Sequence, residues 1–150
     1  KTDKFFENAN CQIHDNRLLM LTKEIKTIPH GTFPTAATFL LRALIESSLS
    51  WCIQEKHLYK TLMQEHHTKK GQSGQKDPGL DFVVGFCITH SAEIFQGNAK
   101  RILEHLLKTK EFCDLVIHGK WVDANPNILE SLASITRPFI YQIFDRSILK

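Results

Sequence analysis

Apolar residues along this chain recur at three and four, the period of a helix with one buried face. Leu18, Leu19, Leu21, Ile25 and Ile28 set that spacing first and predict a helix from about Asn16 to Thr27. Pro29, His30 and Gly31 end it, because Gly and Pro both terminate helices. Pro34 suits the first turn of the next helix, where its missing N–H costs nothing. From there Phe39, Leu40, Leu41, Leu44, Ile45, Leu49, Cys52 and Ile53 cover more than one face. A helix apolar on several sides packs on several sides. This one, running to about Gln54 or Glu55, is expected at the centre of the fold.

A short helix follows from His57 to Gln64. The polar, glycine-rich stretch after it predicts a mobile loop at about 65–79. Leu80 to Phe95 reads two ways. Phe82, Val83, Val84 and Phe86 have strand-like content, while Val83, Phe86, Cys87, His90 and Ile94 share a helix face. Helical surroundings and the lack of a hairpin partner favour helix. Ala99–Leu107 and Phe112–Ile117 read as two further helices. Asn125-Pro126 is a strong start signal, a capping residue before a first-turn Pro. Ile128, Leu129, Leu132, Ile135, Phe139, Ile140 and Ile143 continue from it, with Pro138 expected to kink or split the helix near Ser134 to Thr136. Residues 1–16 are polar apart from Phe5-Phe6 and read as a linker or terminal segment. The expectation is an all-α fold over 17–150: a single helical bundle of five to seven helices with a central apolar helix.

Length and composition fit that reading. A chain of 150 residues and 17.3 kDa exposes about 7,800 Å² when folded, against about 25,000 Å² extended. Such a chain buries enough surface for a core without disulfides or metals. With 42% hydrophobic and 23% charged residues, collagen-like, disordered and coiled-coil chains are excluded. The four cysteines form no Cys-x-x-Cys pair, and Cys52, Cys87 and Cys113 sit in apolar settings. They read as small buried hydrophobes with free thiols, which suits a reducing, cytoplasmic location. The apolar run Ala36–Ile53 is interrupted by Arg42 and Glu46 and diluted by serines, so no membrane span is expected. The chain opens on Lys1 without a charged-then-apolar leader, and is expected to be a piece of a longer protein.

The net charge is +3, but it is unevenly placed. Lys56, Lys60, Lys69, Lys70 and Lys76 face Glu65 alone within residues 56–76. That segment carries more than the whole net charge, and the rest of the chain is close to neutral. These lysines are the candidate contacts to nucleic-acid phosphates, with DNA or RNA as the partner.

Catalytic motifs are scarce. No Gly-rich phosphate loop, His-Glu-x-x-His pair or Gly-x-Ser-x-Gly elbow occurs, and no cofactor or metal is expected. His66 and His67 are adjacent, so their side chains diverge. Arg42 and Glu46 lie four apart on the most apolar helix and share a face. They form either a surface ion pair or a structural polar seam inside the bundle. Asp114 and His118 are also four apart. If helical, the carboxylate could orient the imidazole as a general base or acid. The competing reading is a histidine that closes a helix end beside Gly119.

Residues 34–144 resemble a known class. Phe33-Pro-Thr-Ala-Ala-Thr-Phe-Leu-Leu-Arg-Ala-Leu-Ile-Glu46 is similar to a "Pro-x-Ala-x-x-x-Leu-Leu-Arg-x-Leu-Leu-Glu" helix of bacterial helical domains. Those domains follow ParB-like nuclease modules in genome-maintenance and phage-defence proteins. Val116-Ile-His-Gly119 and the helix from Asn125-Pro126 through Phe144 resemble the far end of that pattern, in the order of HEPN-like helical folds. The resemblance implies a non-catalytic helical module of a bacterial defence or DNA-processing protein, mediating self-association, nucleic-acid contact or both. Its partners would be further copies or other domains of the same chain. The alternative it implies is a metal-independent HEPN-type ribonuclease. His118 would then act as base or acid, Asp114 would orient it, and Arg42 or Lys110 would stabilise phosphorane charge. Active HEPN ribonucleases usually show an Arg, then four to six residues, then the His. Here those positions hold no Arg, and the nearest upstream base is Lys110.

Overall fold

The computed structural model describes residues 4–71, 77–119 and 122–150, and among them seven helices and no strand. The fold is an all-α bundle. The helices are α1 (Asn16–Thr27), α2 (Pro34–Glu55), α3 (Tyr59–Lys70), α4 (Leu80–Thr89), α5 (Ser91–Ile94), α6 (Lys100–Ile117) and α7 (Pro126–Phe144).

α2 is the axis of the bundle. It spans about 33 Å and packs against α1, α3, α4, α6 and α7. Ala37, Leu41, Leu44, Ile45, Leu49, Cys52 and Ile53 are buried along it, as its many-sided apolar pattern requires. By length and composition α2 is apolar enough to cross a membrane, against the expectation drawn from its charges and serines. In the bundle 56% of that apolar window is buried.

Local signals fix several ends. Asp15 caps α1 by accepting the Leu18 N–H at 2.9 Å. Asn125 caps α7 by accepting from Asn127 at 2.8 Å and from Ile128 at 3.3 Å. α4 is helical despite its β-branched content. Its buried residues Leu80, Val83, Val84, Phe86 and Cys87 follow a helical period and pack on α2 and α6.

Four expectations are corrected. Residues 4–16 are not a linker: Phe5, Phe6, Ala9 and Ile13 are buried in the core, and the Gln12 N–H reaches the Phe144 carbonyl at 3.2 Å. The loop does not begin at 65, because α3 continues through Lys70. Nothing between Gln64 and Lys70 breaks a helix, and Leu62 and His66 share a buried face; residues 72–76 lie outside the described residues. The two helices read at 99–107 and 112–117 are one, α6. Its stripe Leu103, Leu106, Thr109, Cys113 and Val116 is buried without interruption. α7 is not split at Pro138. Ser134 and Pro138 lie on the exposed side, while Phe139, Ile140, Ile143 and Phe144 anchor the following turns in the core.

The chain's end is laced to the α5–α6 connection. The Gln96 N–H donates to the Ile148 carbonyl at 2.7 Å, and the Lys150 N–H to the Ile94 carbonyl at 3.0 Å. An isolated bridge joins Phe95 and Leu149. All four cysteines are free thiols, with Cys52, Cys87 and Cys113 buried. Burial pushes the Cys87 and Cys113 thiols up to about 12, so they pack as hydrophobes.

Candidate functional site

Arg42 and Asp114 meet across α2 and α6. Arg42 Nε lies 2.8 Å from Asp114 Oδ1, and Lys110 Nζ lies 2.7 Å from Asp114 Oδ2. Both carboxylate oxygens are therefore engaged by cations. Partial burial alone would raise the Asp114 pKa. The hydrogen bonds from Lys110 and Arg42 outweigh it and hold the carboxyl below its ordinary value. Glu46, one turn along α2, lines a different feature, a cleft of about 360 Å³ shared with Arg17, Ser47 and Tyr59. The polar seam read on α2 thus divides: Arg42 ties the helix to α6, and Glu46 faces the cleft.

His118 is exposed at the end of α6. Its N–H closes the helix on the Asp114 carbonyl at 2.9 Å. Gly119 follows at φ +64, a left-handed conformation that glycine adopts without steric cost. Among the described residues no hydrogen bond or ion pair reaches the His118 ring. Asp114 points its carboxylate at Arg42 and Lys110 instead, so the expected orientation of His118 by Asp114 is not formed. Arg42 and Lys110, the two cations considered for phosphorane charge, are engaged on the same carboxylate.

The lysine set is only partly brought together. Lys56 sits at the end of α2, where its Nζ donates to the main-chain oxygen of Lys150. Lys60, Lys69 and Lys70 are exposed on α3. Lys60, His67 and Lys70 are spaced so that they fall along one side of that helix. Lys69 Nζ stands 5.9 Å from the centre of the Phe82 ring on α4, a cation–π contact. Lys76 lies outside the described residues. Glu65, the one acid of α3, is turned onto His90.

Sequence reasoning missed two clusters. In the first, both His90 nitrogens meet carboxylates: Nε2 lies 2.8 Å from Glu65 of α3, and Nδ1 lies 2.9 Å from Glu93 of α5. The ring stacks on Phe86 at 4.2 Å. Partial burial would lower the His90 pKa, but the hydrogen bonds to Glu65 and Glu93 overcome it and raise it above the ordinary value. In the second, Glu130 and Arg137 of α7 hold the start of the chain. Both Glu130 oxygens accept the Phe5 N–H, at 3.0 and 2.8 Å, and Arg137 donates to the Phe5 carbonyl. His30 lies 3.2 Å from Glu130 and stacks on Phe5. The spacing of Glu130 and Arg137 marks a shared helix face, but nothing local points that face at Phe5.

An apolar groove of about 740 Å³ lies between the end of α1 and the start of α2, rimmed by exposed Phe33 and Phe39. None of the candidate residues lines it. Among the described residues no group of three or more His, Cys, Asp or Glu is placed to hold a metal ion. Comparison with protein-family models, curated proteins and solved structures finds no match to this chain.

Proposed function

We propose that this chain is a non-catalytic helical module that contacts the phosphate backbone of DNA or RNA through the basic side of α3. The observation that carries it is the charge arrangement of that helix. Lys60 and Lys70 are exposed along one side of it, Lys69 is exposed beside Phe82 of α4, and the helix's single acid is paired with His90 at 2.8 Å. A helix whose one carboxylate is compensated presents nearly uniform positive potential to a polyanion. Contacts of this kind position a backbone without reading sequence.

The absence of catalysis in this proposal draws on the engaged Asp114 and on the missing upstream Arg. The order of elements supports a role like that of the helical domains attached to ParB-like nucleases in bacterial defence or DNA-processing proteins. In this chain a Pro-started central helix, a helix closed by His118 and Gly119, and an Asn125-Pro126 helix follow one another, the order that the sequence resemblance implies. Exposed Phe33 and Phe39 favour self-association as a second reading.

The test mixes the protein with labelled duplex DNA and single-stranded RNA at low salt. Binding to either, weakened by Lys60→Gln, is expected. No binding to either removes the nucleic-acid role and leaves assembly. The same samples are followed for RNA cleavage. Equal background in wild type and His118→Ala is expected, and cleavage lost in His118→Ala would instead support the ribonuclease reading.

A further inference from the structure

α3 is attached to the bundle by few groups. It buries Leu62 and His66; His66 packs edge-on against Phe82 at 4.7 Å, and Lys69 stands over the same ring. Glu65 adds an ion pair to His90 at 2.8 Å. His90 occupies the junction of α4 and α5, and Glu93 holds its other nitrogen. A neutral imidazole has one N–H and one lone pair, so it can satisfy only one of these carboxylates. The other would face the lone pair of the ring. Two carboxylates on opposite nitrogens therefore require the imidazolium.

We propose that His90 is a proton-dependent clasp: protonated, it bridges Glu65 and Glu93 and tightens the docking of α3 on the bundle, and neutral, it holds only one of the two carboxylates and loosens it. The charged groups facing the ring are Glu65 from α3 and Glu93 from α5. α4 contributes the Phe86 ring beneath it, and α2 and α6 add no charged group that acts on the ring among the described residues. Lys69, Lys70 and Asp81 line the adjoining cleft between α3 and α4, about 580 Å³ in volume. α3 itself carries His66 and His67, and a control must separate them from His90.

The direction follows from linkage. His90 is held above its ordinary value in the folded protein. Its contribution is complete below the unfolded value, about 6.5, and is lost as pH rises through the folded value. The inference concerns the docking of α3 and stands whether or not α3 meets a nucleic acid.

The test is amide hydrogen exchange of the whole chain between pH 6 and pH 9, corrected for the intrinsic pH dependence of exchange, with His90 followed by NMR. Exchange within α3 is expected to rise about two- to fivefold across the His90 titration, the range spanned by partly exposed ion pairs. α2 and α7 serve as the unchanged reference. Glu65→Gln keeps His66 and His67 but removes the carboxylate, and is expected to abolish the pH-dependent part. A His90 ring titrating at or below about 6.5 would overturn the proposal. So would α3 exchange that does not change with pH, or that changes equally in Glu65→Gln.

Discussion

Asp114 shows how one residue can be read correctly for type and wrongly for partner. Its spacing from His118 is helical, as expected, yet its carboxylate turns to Arg42 and Lys110. Two cations offer more to a partly buried carboxylate than an exposed imidazole at a helix end does. Lys110 was visible as a neighbour one turn away, whereas Arg42 stands 72 residues away in sequence. The pairing has a pH signature. Because the Asp114 carboxyl is held below its ordinary value, its contribution is present above the unfolded value of about 3.9. It is lost as pH falls through the folded value. Asp114→Asn is expected to cost about 1–2 kcal/mol near neutral pH. In paired urea titrations, the gap to wild type should shrink below about pH 4. A gap that persists unchanged at pH 3 would show that the loss is not one of charge.

At the scale of elements, the ends that carry capping chemistry were legible. Pro34 and the Asn125-Pro126 pair mark helix starts by lacking or satisfying backbone N–H groups, a purely local matter. What depends on tertiary packing was not. α6 runs through Thr109 because that residue is buried and its hydroxyl donates back to the His105 carbonyl at 3.2 Å. α7 runs through Pro138 because the residues beyond it are anchored. The start of the chain is the clearest case. Phe5 adopts φ +54, a conformation that costs a non-glycine residue about 1–2 kcal/mol. Glu130 and Arg137 hold its N–H and carbonyl in place. Glu130→Ala leaves that N–H without its acceptor and is expected to destabilise the fold by about 1–3 kcal/mol. Amide exchange should rise first at Phe5 and Ala9. Uniform loss of protection across the bundle, with no early loss at this segment, would contradict that local role.

Across the whole molecule, the sequence placed the core better than the chemistry. The many-sided apolar pattern of residues 34–55 identified the central helix because burial leaves a periodic trace. The pairs Arg42–Asp114, Phe5–Glu130 and Glu65–His90 leave none, since each joins elements distant in the chain. The basic segment was visible as composition. Only the fold divides it, placing Lys56 against the end of the chain and Lys60, Lys69 and Lys70 on α3. The near-neutral bundle bearing one basic helix is the central claim, and salt dependence tests it most directly. Each phosphate contact on duplex DNA contributes about 0.9 to the slope of log binding constant against log salt. The wild-type slope is expected near −2 to −3, for the two or three lysines of α3. Lys60→Gln should make it shallower by about 0.9, and Lys23→Gln, a change on α1, should leave it unchanged. A slope near zero, or one that both substitutions alter equally, would contradict a phosphate-binding face on α3.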